Sequence, residues 1–372
     1  MDREITLDSI MKRLKPLAQN EAAERLEASG GLNRKITAVV RDSRKVKKDS
    51  LFVAIEGFKA DGHDYLGMAK EKGALAAVTT RFVPDVELAQ FKLENSREAL
   101  ALASAAFYGD PSRDLSVTGI TGSNGKTSCS LMLREIFLAA GEDPGLIGTV
   151  LYSSKKSQKS AALTTPDATE LQALFAEMRD AGNHYVIMEV SSIGRAQYRD
   201  AGTHYKVVAF NNISREHIDY HGSFEAYFAA KKSLIMSADP DSYVILNADD
   251  PHVISLASEC PGKLITFGHR KDADVRAENL DMTSGFPSFD IKISKRIRPG
   301  LLPHERKLHL ALNVPGYHSM MNALAAVAMA LAHHLDAEAI VKGLTQFHGV
   351  ERRFQNVFSG KFRVFDDHFK QE

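Results

Sequence analysis

Short apolar runs alternate with longer amphipathic stretches through the centre of the chain. Strand-like runs rich in valine, isoleucine and aromatic residues lie at residues 115–120, 185–190, 207–210, 243–246 and 263–267. Between several of these runs, apolar residues recur at helical spacing, which predicts helices at residues 128–140 and 168–181. Strands that alternate with helices are typical of βαβ units. The pattern therefore predicts an α/β fold with a mostly parallel sheet and helices on both faces.

A smaller α/β region precedes this central part. Apolar runs at residues 36–40 and 51–55 are broken by polar turns, and an alanine-rich helix is predicted at residues 96–107. Gly109 and Pro111 follow that helix, and glycine close to proline marks a loop. We therefore predict an N-terminal domain over residues 1–111 and a central domain over residues 112–348.

The end of the central domain departs from the alternating pattern. Residues 274–292 predict a β-hairpin with Gly285 near its turn. Nearer the beginning of the domain, residues 153–160 predict no more than a polar loop. A last helix is predicted at residues 319–335, with one apolar face formed by Leu324, Val327, Leu331 and Leu335. Residues 349–372 form a third block that is short for a domain.

Composition narrows the possible classes of protein. The chain has 372 residues, and 47 basic residues balance 47 acidic ones, which excludes a mainly electrostatic nucleic-acid binder. No apolar run approaches the roughly 18–20 residues of a membrane span, and the N-terminus lacks the apolar core of a signal peptide. Two cysteines form no disulfide scaffold, so we expect a cytoplasmic protein without membrane insertion.

A glycine-rich loop carries the sharpest local signal. The segment TGITGSNGKT ends at Lys126 and Thr127, between a predicted strand and a predicted helix. In such a loop, backbone N–H groups converge on phosphate oxygens, the lysine neutralises the β- and γ-phosphates, and the threonine hydroxyl binds Mg²⁺. The spacing departs from the Walker A pattern, since Ile120 stands where a glycine is usual. The alternative is a simple glycine turn, and the loop alone leaves the reaction open among kinases, ATPases, GTPases and ligases.

Two possible metal ligands follow neighbouring predicted strands. Glu189 ends one strand, and His217 lies in the polar segment after the next. Since Mg²⁺ prefers oxygen ligands, Glu189 suits it better than His217 does. Composition alone favours a helix-start or surface role for His217 and His221.

Three other polar segments have an ordinary structural interpretation, and two of them also allow a role in binding. Residues 164–169 contain threonines that either cap a helix or help to bind an anion. Lys231 and Lys232 follow a helical pattern, where lysines are usually solvated. Asn247 and Asp249 follow a strand, and they either form an Asx turn or contact the nucleotide.

Taken together, these motifs resemble the Mur ligase family, which uses ATP to join amino acids to UDP-linked muramyl peptides. The resemblance runs from about Asp42 to Phe365, and its order and spacing are specific although each motif alone is weak. Within the family it is greatest to the muramyl-tripeptide synthetases. The motifs are DSR at residues 42–44, LFVAIEG at 51–57, DGH at 61–63, TGSNGKT at 121–127, TTPD at 164–167, EVSS at 189–192, SREHIDYHG at 214–222, AK at 230–231, NADD at 247–250 and NALA at 322–325.

The resemblance implies a role for each matching residue. The implied ATP-binding residues are Gly122, Ser123, Asn124, Gly125, Lys126, Thr127, Asn322 and Arg353. The implied substrate-binding residues are Ser43, Arg44, Phe58, Lys59 and Ala60 for the uridine diphosphate, with Thr164, Thr165, Ser191, Gln197 and Arg199 for the muramyl dipeptide. Magnesium would be held by Thr127, Glu189, His217 and Lys231, the last as a carbamate. Lys126 and Lys231 are the implied catalytic residues.

The resemblance also implies the reaction and its partners. The D-glutamate carboxylate of UDP-N-acetylmuramoyl dipeptide attacks the γ-phosphate of ATP, and an amine of diaminopimelate or lysine then displaces phosphate from the acyl-phosphate. Phosphoryl transfer chiefly demands positioning and charge neutralisation, so no protein nucleophile is needed.

Three departures from the family pattern qualify this expectation. Ile193 stands where the family has histidine, and residues 351–354 read ERRF where the family has PGRF. Residues 349–372 would form only the start of the family's C-terminal Rossmann-like domain, and we expect most of that domain to be absent. The alternatives are therefore a tripeptide ligase, a non-ligating relative that binds UDP-muramyl peptide and ATP, or another Mur-type ligase such as the dipeptide-adding enzyme.

Overall fold

The computed structural model describes residues 4–15, 17–18, 20–57, 60–297, 308–349, 355–359 and 363–366. These residues form two compact units. The first contains the described residues up to Asp114, together with Pro166–Arg179 and Ala196–Thr203. The second contains Leu115–Thr165, Asp180–Arg195 and the described residues from His204 onward. A single cut in the sequence therefore does not separate the two units, and the predicted domain boundaries stay a prediction.

The first unit is built on a five-stranded sheet. Its strands are β1 (Leu17–Ala18), β2 (Ala38–Val40), β3 (Ser50–Val53), β4 (Ala76–Thr79) and β5 (Ala89–Lys92). The first four helices of the chain belong to this unit: α1 (Leu7–Leu14), α2 (Glu21–Ala28), α3 (Leu66–Glu71) and α4 (Ser96–Phe107). The strand order is β1-β5-β4-β3-β2, in which only β1 runs antiparallel to its neighbour. The apolar runs at residues 36–40 and 51–55 contain most of β2 and β3, and the predicted helix at residues 96–107 is confirmed.

The second unit contains an eleven-stranded sheet. Its strands are β6 (Ser116–Thr121), β7 (Gly145–Ile147), β8 (Leu151–Ser153), β9 (Gln158–Ser160), β10 (Tyr185–Glu189), β11 (Val207–Phe210), β12 (Tyr243–Asn247), β13 (Lys263–Gly268), β14 (Val275–Asp281), β15 (Ser288–Ile293) and β16 (Leu308–Ala311). The order is β16-β15-β14-β13-β12-β11-β6-β10-β7-β8-β9. The seven strands from β14 to β7 are parallel, which confirms the predicted fold class. A separate pair, β17 (Gln355–Ser359) and β18 (Arg363–Asp366), is antiparallel.

The remaining helices follow the strands along the chain. They are α5 (Lys126–Ala139), α6 (Ala168–Ala181), α7 (Ser192–Ala196), α8 (Ile218–His221), α9 (Phe224–Met236), α10 (Pro251–Ile254), α11 (Tyr317–Ala332) and α12 (Ala337–Gln346). Helix α11 was predicted to bury one face, but it is buried on almost every side. Its alanines explain this burial, because small side chains let neighbouring elements approach closely. Within the described ranges, no helix combines the length and the apolar character that a membrane crossing requires.

The position of β6 determines where a site can form. This strand lies between β10 and β11, and all three are parallel and buried along nearly their whole length. Their carboxyl ends therefore lie at one edge of the sheet, where ligands bind in open α/β sheets. The glycine-rich loop follows β6, Asn211 follows β11, and Glu189 is the last residue of β10.

Two predictions about the edges of the sheet had different outcomes. The hairpin predicted at residues 274–292 is confirmed as β14 and β15, with Gly285 at a φ of 79° between them. The polar loop predicted at residues 153–160 was wrong, because β8 and β9 form an antiparallel hairpin there. All three residues of β9 are exposed, so this edge strand has no alternation of apolar and polar residues to reveal it.

Candidate functional site

The glycine-rich loop joins the end of β6 directly to helix α5. Gly125 has a φ of 83°, a left-handed conformation that favours glycine. A Cβ atom there would lie 2.2 Å from Oδ1 of Asn322 on helix α11, so any side chain would also displace that amide. The structure therefore brings Asn322 against the loop, and its contact with ATP stays a prediction. Helix α5 begins at Lys126 rather than at the predicted residue 128.

The loop is held from its other side by residues 212–214. The backbone N–H groups of Ser123 and Asn124 donate to the carbonyl and side-chain oxygens of Asn212, each at 2.9 Å. The N–H group of Ser214 donates to Ser123 Oγ at 2.9 Å. The first-turn N–H groups of α5 have no partner within the helix and carry partial positive charge. This helix start favours an anion, and phosphate is the anion such loops bind.

Two lysines share one acceptor beneath the loop. The Nζ atom of Lys126 donates to the carbonyl oxygens of Gly122 at 2.8 Å and Ser123 at 3.0 Å. The Nζ atom of Lys231 donates to the same Gly122 oxygen at 2.7 Å. Burial, followed by the charge of Lys126, lowers the pKa of Lys231 well below its usual value, although Glu216 acts in the opposite direction. Lys231 is only 2% exposed, so the solvated role that its sequence pattern favours is wrong.

A buried carboxylate lies beside the start of helix α5. Glu189 is 1% exposed and accepts hydrogen bonds from the hydroxyl of Thr127 at 2.9 Å and from the N–H and hydroxyl groups of Thr149, each at 3.0 Å. The Thr149 hydroxyl also lies 3.1 Å from that of Thr164. One carboxylate and two hydroxyl groups form an oxygen-rich site, which is the donor type that Mg²⁺ prefers.

Thr149 is a site residue that the sequence did not predict. It follows β7, which has only three residues and therefore gives a weak strand signal. Its position after a parallel strand next to β10 was the one available clue.

The predicted substrate residues Thr165 and Ser191 are joined across the end of β10. The Thr165 hydroxyl donates to the carbonyl oxygen of Glu189 at 3.1 Å, and Ser191 N–H donates to that hydroxyl at 2.9 Å. Thr165 is fully buried. Its hydroxyl thus holds the strand end in place, and contact with a substrate stays a prediction.

The two histidines of the predicted site differ in their surroundings. His217 is exposed, has a φ of 53°, and its ring centroid lies 6.1 Å from that of Tyr227. The Nε2 atom of His221 lies 3.0 Å from the Ser192 hydroxyl, and burial lowers the pKa of His221. His217 faces the same cavity as Glu189, whereas the neighbours of His221 are Ser192 and Tyr227.

Most of these groups line one cavity of about 1650 Å³. The predicted site residues that line it are Ser123, Asn124, Gly125, Lys126, Thr127, Thr164, Glu189, His217 and Asn322. Among the described residues predicted for this unit's site, Gly122, Thr165, Ser191 and Lys231 do not line the cavity. Asn247 and Asp249 also line the cavity, and Asp249 N–H donates to Asn247 Oδ1 at 2.9 Å, as in an Asx turn.

The other predicted substrate residues belong to the first unit. Ser43 is buried at the start of a single 3₁₀ turn, whereas Arg44 and Ala60 are exposed. The hydrogen bond from Arg44 lowers the pKa of Asp42 to about 2. Gln197 Oε1 accepts from Arg199 at 2.9 Å. The predicted residues Phe58, Lys59 and Arg353 lie outside the described residues.

Comparison with known proteins gives two family matches and many relatives. Residues 120–330 match the Mur ligase middle domain, and residues 35–108 match the catalytic domain of the Mur ligase family. A UDP-N-acetylmuramoyl-L-alanyl-D-glutamate–2,6-diaminopimelate ligase of Bacillus licheniformis is 38% identical over 340 residues, covering 90% of this chain and 67% of the relative. The enzyme of the same name from Listeria monocytogenes is 34% identical over 370 residues, covering 97% and 71%.

Solved structures show the same fold. The structure of a UDP-N-acetylmuramoyl-L-alanyl-D-glutamate–2,6-diaminopimelate ligase superposes with a TM-score of 0.74 at 23% identity, covering 89% of this chain and 66% of that one. The MurF ligase of Thermotoga maritima, solved in complex with ADP, gives a TM-score of 0.57 at 18% identity, covering 90% and 71%.

Proposed function

This chain belongs to the Mur ligase family, and on that premise we propose that it acts as an ATP-dependent ligase in peptidoglycan synthesis. Its acyl substrate would be UDP-N-acetylmuramoyl-L-alanyl-D-glutamate, and its amine substrate 2,6-diaminopimelate. The names of the curated relatives support diaminopimelate over lysine. We place the reaction in the cytoplasm. The observation that carries the proposal is the cavity in which the glycine-rich loop, Thr127 and Glu189 meet.

We propose that ATP binds with its phosphates at the start of helix α5. Lys126 would turn from the loop carbonyls to the β- and γ-phosphates, since a phosphate oxygen carries more negative charge than a carbonyl oxygen. Asn322 would lie beside the nucleotide, because it already contacts the loop at Gly125. The partial positive charge of the helix start and the charge of Lys126 would offset the charge of the triphosphate.

The residues around Glu189 fit a magnesium ion. The buried carboxylate and the hydroxyl groups of Thr127 and Thr149 are hard oxygen donors, and His217 lines the same cavity. We propose that Thr127, Glu189 and His217 hold the ion. Bound there, magnesium would neutralise phosphate charge and make the γ-phosphorus more electrophilic.

We propose that Lys231 is carbamoylated. Carbon dioxide reacts with a neutral amine: an N–C bond forms, a proton leaves, and the product is an anionic carbamate. Burial beside Lys126 favours the neutral amine of Lys231, which supports this reaction. The carbamate would add an oxygen ligand close to the phosphates, where a second magnesium ion would be held.

The acyl transfer then needs the substrate carboxylate in line with the γ-phosphate. A carboxylate oxygen forms a bond to phosphorus as ADP leaves, and the amine attacks the acyl carbon as phosphate leaves and the amine loses a proton. We propose that Thr164, Thr165 and Ser191 position the acyl end of the substrate. Gln197 and Arg199 would contact the same substrate, and Ser43, Arg44 and Ala60 would contact the uridine diphosphate.

The test follows both products in one reaction with ATP, magnesium, the UDP-muramyl dipeptide and diaminopimelate. We expect phosphate and UDP-muramyl tripeptide to form in equal amounts, and lysine to replace diaminopimelate poorly. Phosphate without tripeptide would contradict a complete ligase and favour the binding relative. Failure to bind either ATP or the UDP-muramyl dipeptide would contradict both functions.

A further inference from the structure

Tyr227 lies on the face of helix α9 that contacts the glycine-rich loop. The helix begins after Ser223, whose hydroxyl accepts the N–H group of Ala226 at 3.1 Å. Residues four apart share a helix face, so Tyr227 and Lys231 point the same way. The Tyr227 hydroxyl lies 2.8 Å from Ser123 Oγ, and Lys231 Nζ lies 2.7 Å from the Gly122 oxygen. One helix therefore contacts two successive residues of the loop.

The direction of the bond between Tyr227 and Ser123 follows from the other partners of Ser123. The Ser123 hydroxyl donates to the carbonyl oxygen of Ser214 at 3.3 Å and accepts the N–H group of Ser214 at 2.9 Å. A hydroxyl has one hydrogen to donate, so when Ser123 donates to Ser214 the Tyr227 hydroxyl is the donor in the remaining bond. Burial raises the pKa of Tyr227 to about 12.

The ring of Tyr227 adds a second contact with the same region. Lys231 Nζ lies 4.8 Å from the ring centroid, and the ring of His221 is 5.4 Å away. Tyr227 is fully buried, so its ring covers the Lys231 amine on one side. Both its hydroxyl and its ring thus act on groups that hold the loop.

We propose that Tyr227 is a positioning residue that fixes the phosphate loop through Ser123 before nucleotide binds. With Ser123 held, the loop does not have to be ordered during binding, and removing that ordering cost increases affinity. Loss of this bond should weaken the binding of the nucleotide's phosphate groups and leave the binding of the nucleoside unchanged, because the bond acts on the loop alone. This inference rests on the proposed binding of ATP at the loop.

The test compares ADP and adenosine binding by calorimetric titration. Tyr227→Phe removes the hydroxyl and keeps the ring, Ser123→Ala removes its partner, and the double variant removes both. Loss of one hydrogen bond predicts ADP binding weaker by about three- to tenfold in Tyr227→Phe. Ser123→Ala also loses both hydrogen bonds to Ser214, so it should bind ADP at least as weakly. The double variant should be no weaker than Ser123→Ala alone, and adenosine affinity should not change. Tyr243→Phe is the matched control. Tyr243 begins β12, whose other end reaches the cavity, so this variant should bind ADP as tightly as the unaltered protein does.

The outcomes separate this inference from the proposed function. If the unaltered protein does not bind ADP, the proposed function fails. If it binds ADP, and Tyr227→Phe binds ADP equally well or loses adenosine affinity to the same extent, the role of Tyr227 is wrong. Additive losses in the double variant would also overturn it, since two members of one bond cannot act independently. Thermal unfolding of each variant shows whether it folds.

Discussion

Replacing Gly148 by alanine should displace the carboxylate of Glu189. A Cβ atom at position 148 would lie 2.3 Å from Oε1 and 3.0 Å from Cδ of Glu189. An ordinary contact is about 3.5 Å, so the carboxylate must move by roughly 1 Å. Its three hydrogen bonds of 2.9–3.0 Å would then approach about 4 Å, beyond hydrogen-bonding range. Thr127 and Thr149 would lose their shared acceptor.

The expected cost of this change combines overpacking with lost hydrogen bonds. Overpacking costs about 1–3 kcal/mol, and each hydrogen bond to a charged group contributes about 1.5–3 kcal/mol before relaxation. Because the structure relaxes in part, we expect the free energy of unfolding to fall by about 2–4 kcal/mol. For a unit of this size that corresponds to a Tm lower by roughly 4–16 °C.

The functional effect of Gly148→Ala should depend on magnesium. With the carboxylate displaced, ADP affinity in excess magnesium should fall about tenfold or more, which equals about 1.4 kcal/mol. ADP affinity in the presence of a chelator should stay unchanged, because the loop amides and Lys126 do not depend on Gly148. The measurements are thermal unfolding and calorimetric ADP titration under both conditions.

Two further variants test the steric reasoning. Gly67→Ala is the matched control, since a Cβ there meets nothing within 4 Å and α3 is helical; its Tm should be equal or slightly higher. Adding Glu189→Asp to Gly148→Ala shortens the acidic side chain and should restore part of the lost stability. A Gly148→Ala variant with unchanged Tm and unchanged magnesium dependence would refute the argument.

Three other predictions concern single side chains. Thr127→Val should weaken magnesium–ADP binding about tenfold by calorimetry, while Thr127→Ser should not. Lys231→Arg should lower kcat about 100-fold with little change in ADP affinity, and it should lack the carbamate signal that ¹³C-bicarbonate gives with the unaltered protein. Burial, together with nearby positive charge, lowers the pKa of His333 to about 3, below the ordinary value of about 6.5. Its contribution to stability should therefore be complete above pH 6.5 and fall by about 1.4 kcal/mol per pH unit below that, and His333→Gln should reduce this slope in urea unfolding.

The sequence predicted the central sheet and the loop because both depend on local pattern. Parallel strands give continuous apolar runs, and their carboxyl ends share an edge, so Glu189 was predicted to lie at the edge where the loop ends. The strand order was not predicted: β6 lies between β10 and β11, so the strand that ends at Glu189 and the strand that precedes His217 are not neighbours. The short strands β7 to β9 could not be predicted in the same way. Each contains only three residues, β9 is exposed, and β7 pairs with β10, which is distant in sequence.

The environment of Lys231 shows why side-chain roles need the structure. Lys231 and Lys232 are adjacent in sequence and chemically identical, yet Lys231 is buried and Lys232 pairs with Glu259 at 2.6 Å. Which of the two points inward depends on the rotation of α9 against the sheet, and that rotation is set by packing. The resemblance to the family identified Lys231 where residue chemistry favoured a solvated role.

The central claim is that the substrate carboxylate attacks ATP to form an acyl-phosphate. The most direct test uses UDP-muramyl dipeptide with ¹⁸O in the carboxylate of its D-glutamate, together with ATP, magnesium and diaminopimelate. The account predicts that each tripeptide formed releases one phosphate carrying one ¹⁸O atom, because the carboxylate oxygen bonded to phosphorus leaves with it. Tripeptide formation with unlabelled phosphate would contradict this account, as would release of unlabelled phosphate alone.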